Sequence, residues 1–204
     1  MRRFLWMLLF VFGGIAGAQA APARTLLVLG DSLSAAHNIA TEQGWVHLLE
    51  VRLSSMVPTW VVINASISGE TSLSGRNRLP ALLSKYRPAV VVIELGANDG
   101  LRGLPLETMR ANLAAMIDAA QAANAKVLLL GIELPVNYGA PYRSGLQAIY
   151  TDLARQKRTA LVPFLLEGVA LDPALMQEDG LHPLAAGEPK VLDTVWAKLQ
   201  PLLH

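Results

Sequence analysis

Five short apolar runs punctuate the chain, at 25–29, 61–65, 89–95, 126–130 and 161–164. They are rich in Val, Leu and Ile and lack the polar alternation of a half-exposed strand. Runs of that length and make-up fit strands buried on both faces, as in a parallel sheet. Between them the apolar period switches from 2 to 3.6. Trp45, Leu48, Leu49, Leu53 and Met56 fall on one helical stripe; Met109, Leu113, Met116, Ile117 and Ala120 on a second; Leu146, Ile149, Tyr150 and Leu153 on a third; Leu192, Val195, Trp196 and Leu199 on a fourth. Leu79, Leu82, Leu83 and Tyr86 suggest one further helix, with a less legible pattern before it. Strands alternating with amphipathic helices predict an α/β fold, a three-layer α/β/α sandwich around a five-stranded parallel sheet. In such sheets ligands bind beyond the carboxyl ends of the strands.

The first twenty residues belong to a different pattern. Met1-Arg2-Arg3 is a basic start, 4–18 is an apolar stretch of fifteen residues, and Ala18-Gln19-Ala20 offers small residues at the spacing of a signal-peptidase site. The stretch is short for a spanning helix, and Gly13, Gly14 and Gly17 weaken it as one. Residues 1–20 are therefore expected to be a cleaved signal peptide. Residues 21–204 are then a single exported domain, periplasmic or secreted, with no membrane anchor left after cleavage. The mature chain is long enough to bury a core unaided, so the absence of cysteine is no handicap in an oxidising compartment. Of the 17 basic residues, two leave with the leader, and 15 remain against 16 acidic ones. No basic run survives to suggest a nucleic-acid partner.

Polar and glycine-rich residues gather just after the predicted strands. Gly30-Asp31-Ser32-Leu33-Ser34 follows the first, and the segment 64–71, with Gly69, follows the second. Gly96-Ala97-Asn98-Asp99-Gly100 follows the third, and Asp179-Gly180-Leu181-His182-Pro183 precedes the last helix. Acyl transfer from a serine needs an imidazole to take its proton and a carboxylate to orient that imidazole. Asp179 and His182, three apart, can reach one spot from a single turn. Ser32, at a strand-to-helix turn, can present its hydroxyl with its own N–H near a helix N-terminus. Of the four histidines, His204 is terminal, His47 lies on a helix, and His37 has no carboxylate three residues away. A developing oxyanion needs further donors, and a glycine N–H with an asparagine amide suffices; Gly69 and Asn98 lie at suitable strand ends. Asp31 and Asp99 are read as organisers of their loops.

These four pieces, in this order, resemble the conserved blocks of the GDSL, or SGNH, hydrolase family, closest to its small bacterial branch of thioesterases, lysophospholipases and arylesterases. The likeness covers nearly all of the chain beyond residue 20, and Leu134-Pro135-Val136-Asn137-Tyr138-Gly139 resembles a loop beside the acyl pocket of that branch. It implies a flavodoxin-like SGNH fold and Ser32, Asp179 and His182 as catalytic residues. It also implies an oxyanion hole from Ser32, Gly69 and Asn98, and acyl esters or thioesters as substrates. No cofactor and no metal are expected, and the protein should be a monomer. Two other readings stay open at this level. Asp31, Asp99 and Asp179 could gather as oxygen ligands of a hard cation in a phosphate-handling protein, although no G-x-x-x-x-G-K loop accompanies them. A periplasmic binding module could also keep the fold without turnover.

Overall fold

The computed structural model describes residues 23–204. The proposed signal peptide therefore lies outside the described residues. Five strands, β1 (Arg24–Gly30), β2 (Trp60–Asn64), β3 (Val90–Glu94), β4 (Lys126–Leu130) and β5 (Ala160–Val162), form one parallel sheet in the order β2-β1-β3-β4-β5. The central strands explain the unalternating apolar runs: every residue of β3 is buried, as is β1 from Leu26 onward, because helices cover both faces. The edge strand β2 is only partly covered, and Val61 points to solvent.

Among the described residues six helices flank the sheet: α1 (Trp45–Leu53), α2 (Ser72–Tyr86), α3 (Ala97–Leu101), α4 (Leu106–Ala122), α5 (Ala140–Lys157) and α6 (Glu188–Leu199). On one face α2, α4 and α5 pack in series, and on the other α1 packs on α6. Each of the four clear stripes lies on such a helix, apart from Met56, which falls beyond the end of α1. Among the described residues no helix is long and apolar enough to cross a membrane.

Three local readings shift. The chain after β1 does not enter a helix: residues 31–38 form successive turns, closed by Ala35 N–H on Asp31 O (3.0 Å) and His37 N–H on Ser32 O (3.3 Å), and regular helix begins only at Trp45. Residues 97–101, read as a strand-end loop, wind into the short α3. The last strand starts one residue early and stops at Val162, where Pro163 ends the ladder. The strand order places the crossover reversal between β1 and β3, so the crevice beyond their carboxyl ends is where this topology opens a site.

Candidate active site

Ser32 follows β1, Gly69 follows β2, Asn98 follows β3, and Asp179 with His182 lies in the segment between β5 and α6. Although 150 residues separate them, the Ser32 hydroxyl donates to His182 Nε2 at 2.8 Å. His182 Nδ1 donates to Asp179 Oδ2 at 2.7 Å, which fixes the ring in the tautomer that leaves Nε2 free to accept. The carboxylate is held in turn: its Oδ1 accepts the N–H groups of Leu181 (2.9 Å) and His182 (3.1 Å). Partial burial pushes the Asp179 carboxyl up, but those two N–H groups and the imidazole outweigh it and hold it below its ordinary value.

The loop that carries this pair is stiffened across its neck. Met176 and Pro183 form an isolated antiparallel bridge, and Gln177 N–H donates to His182 O at 2.8 Å. The Gln177 side-chain amide reaches both Pro183 O (2.8 Å) and His37 O (2.9 Å), tying the histidine loop to the serine loop. The His37 ring itself lies against that of His182, with centroids 4.4 Å apart. Lacking a carboxylate partner of its own, His37 forms a wall for the histidine that has one.

Asn98 links the serine turn to the loop that carries Gly69. The Asn98 amide donates to Asp31 Oδ2 (3.0 Å) and to Glu70 O (3.1 Å). Gly69 stands at φ +81°, a conformation that favours glycine, and its carbonyl is pinned by the Arg102 guanidinium at 2.9 Å. Among the described residues neither the N–H of Ser32 nor that of Gly69 has a protein acceptor.

The three aspartates of the cation reading do not converge. Asp31 serves Asn98 and Leu33; Asp99 takes the Ser72 hydroxyl (2.5 Å) and N–H (2.8 Å) and so ties α3 to the start of α2; Asp179 serves His182. Among the described residues no cluster of three or more potential ligands forms.

Ser32, Asn98 and His182 open onto a cavity of about 590 Å³ whose other walls are largely apolar. Leu134, Pro135 and Val136 form part of them, so the loop singled out by resemblance does border the cavity. It is braced by Tyr138 hydroxyl on Leu101 O (3.0 Å) and Arg143 Nε on Leu134 O (2.7 Å). Glu94 escaped the sequence reading: it closes an apolar strand, and a carboxylate ending a fully buried run was the one signal that could have marked it.

Residues 28–188 match the GDSL-like lipase/acylhydrolase family, a span that contains all four blocks. Esterase TesA of Pseudomonas aeruginosa is 54% identical over 185 residues, covering 91% of this chain and 92% of its own. The thioesterase 1/protease 1/lysophospholipase L1 of Escherichia coli strain K12 is 43% identical over 201 residues, covering 98% and 95%. The crystal structure of TesA superposes with a TM-score of 0.85 at 54% identity, over 88% of this chain and 99% of that one. The chain belongs to the GDSL-like lipase/acylhydrolase family. In class it is an ester or thioester hydrolase.

Proposed function

We propose that this hydrolase works through Ser32 as nucleophile, His182 as general base and acid, and Asp179 as the carboxylate that orients the imidazole. The continuous relay from Ser32 Oγ through His182 to Asp179, at 2.8 and 2.7 Å, carries this reading. His182 removes the serine proton as Oγ attacks the acyl carbonyl carbon. The N–H groups of Ser32 and Gly69 and the amide of Asn98 receive the oxyanion. Collapse expels the alcohol or thiol, protonated by His182, and leaves an acyl-serine. Water, activated by the same imidazole, then releases the acid and restores the enzyme. Every step is proton transfer or acyl transfer on residues of this chain, so no cofactor is invoked.

The apolar cavity beside Ser32 fits an acyl chain. Its charged lining residues are Glu133, Glu167, Asp172 and Arg143, and Arg143 is already engaged with Leu134 O. An acidic surround favours neutral or cationic leaving groups over polyphosphorylated ones. Aryl esters and lysophospholipids are accordingly the proposed substrates, ahead of acyl-CoA. The basic start, apolar stretch and Ala18-Gln19-Ala20 support export to the periplasm as a single domain of residues 21–204.

The test is hydrolysis of a chain-length series of p-nitrophenyl esters by the mature chain and by Ser32→Ala, each with and without chelator. Chelator-resistant turnover that disappears in the variant is expected. Turnover that survives Ser32→Ala overturns the nucleophile, and turnover abolished by chelator returns the cation reading.

A further inference from the structure

Two carboxyl groups lie in the protein interior next to the serine turn, and neither is used by the reaction above. Asp31 and Glu94 are both 0% exposed. Glu94 Oε2 accepts the Asp31 N–H at 3.1 Å and the Ser34 hydroxyl at 2.9 Å. A side chain at position 30 would come within 2.8 Å of that oxygen and of Ser34, so the glycine that opens the serine block is what lets Glu94 approach. Among the described residues the buried Glu94 Oε1 has no donor to accept from. The Asp31 carboxyl, on the residue whose N–H Glu94 holds, accepts from Leu33 N–H (3.1 Å) and Asn98 Nδ2 (3.0 Å).

Two carboxyls buried against one turn resist being ionised together, because each loses its hydration and feels a like charge nearby. A proton on Glu94 removes both difficulties. The orphaned Oε1 then has a hydrogen to give, and the Asp31 carboxylate, at which two other donors are already aimed, is the acceptor we assign to it. Burial and the neighbouring Asp31 charge push the Glu94 carboxyl well above its ordinary value. Burial also raises Asp31, but the Leu33 N–H, Glu94 and Asn98 hold it to about 6.

We propose that Glu94 and Asp31 form one positioning unit for the oxyanion site: neutral Glu94 donates to the Asp31 carboxylate, seats the serine turn through the Asp31 N–H and Ser34, and thereby aims the Asn98 amide. Neither group touches substrate. One Asn98 hydrogen is anchored on Asp31; the other, resting on Glu70 O in the free enzyme, is the one the oxyanion takes. The inference rests on the role assigned to Asn98 above, and it asks that Glu94 supply a proton and a shape, not a charge.

Glutamine reproduces both, since its amide donates where the acid O–H did and its carbonyl accepts where Oε2 did; leucine reproduces neither. With a p-nitrophenyl ester, Glu94→Gln is expected to keep kcat within about threefold of the parent. Glu94→Leu should lose about tenfold or more in kcat with KM little changed, as fits a group felt in the transition state. Infrared spectra at about pH 8, where exposed carboxyls are ionised, should show a protonated-carboxyl carbonyl band in the parent. That band should persist in Ser32→Ala and vanish in Glu94→Gln. A parent without the band, a Glu94→Gln as impaired as Glu94→Leu, or a Glu94→Leu with unchanged kcat overturns the unit. Should Glu94→Leu not fold, the glutamine variant and the band still decide. The band is read independently of turnover, so a Ser32→Ala that stays active would condemn the reaction and leave the acid pair standing on its own measurement.

Discussion

An amide side chain has two hydrogens to give, and in the free protein Asn98 has placed both, one on Asp31 and one on Glu70 O. A substrate oxygen must therefore share or win one of these hydrogens, and the Asp31 contact holds the amide in place while it does. Much of the cost of orienting the dipole is in that way met on folding. Asn98→Ala is expected to lower kcat by roughly 100- to 1,000-fold, the usual effect of deleting one oxyanion donor. A loss below about tenfold in steady-state ester hydrolysis removes Asn98 from that role. At this scale the sequence announces some side chains and conceals others. Ser32, Asp179 and His182 are legible because their types in that order serve one chemistry. His37 and Glu94 are not, because what matters about them is proximity: a ring 4.4 Å from another ring, and a carboxyl seated against a turn sixty residues earlier in the chain.

Each block of the site hangs on the exit of an element, and the elements differ in how well the sequence marks them. The buried strands and the four clear stripes are unmistakable, since hydrophobic period is the strongest signal a chain carries. α2 is obscure for a physical reason. Its buried positions are Ser72, Gly75, Leu79 and Leu83, and the first two are there for contact rather than hydrophobicity: Ser72 bonds to Asp99, and any side chain at Gly75 would have to push Leu95 aside. The exit of β4 is obscure in the same way. Gly131 donates its N–H to Val162 O (2.8 Å) and accepts from Leu165 N–H (2.9 Å), drawing two strand exits together. A methyl at position 131 would strike the Pro163 carbonyl, which is backbone and cannot swing aside. Gly131→Ala should therefore cost about 1–3 kcal/mol or more, read as a lower urea midpoint. Because Ile132 and Leu134 follow directly and wall the cavity, the chain-length preference for esters should shift as well. An unchanged midpoint would mean that the two exits are not packed as described.

Taken whole, the molecule keeps several carboxyl groups where water cannot reach them, and this sets how its stability answers to pH. Glu188, at the start of α6, is 2% exposed and accepts the Trp45 N–H at 2.8 Å, which caps α1; the Trp45 indole in turn donates to Leu33 O at 3.2 Å, in the serine turn. Burial raises the Glu188 carboxyl to about 7 from an ordinary 4.5, with the Trp45 N–H opposing the rise only in part. Asp31, at about 6, and Glu94 are shifted in the same direction. A carboxyl whose pKa is higher folded than unfolded takes up a proton on folding, so its contribution is fully present below about 4.5 and declines as pH rises through about 7. For Glu188 the two values set an upper bound of about 3 kcal/mol on that decline. Asp179 works the other way, being held low, and its contribution is lost only as pH falls below its ordinary 3.8. The expected outcome is a melting temperature that falls between about pH 5 and pH 8, and a smaller fall in Glu188→Gln, which keeps the capping acceptor but has no proton to lose. Some slope should remain in that variant, since Asp31 still titrates. Equal slopes in the two proteins would show that Glu188 is hydrated in solution and that the junction of α1, α6 and the serine turn is looser than its hydrogen bonds describe.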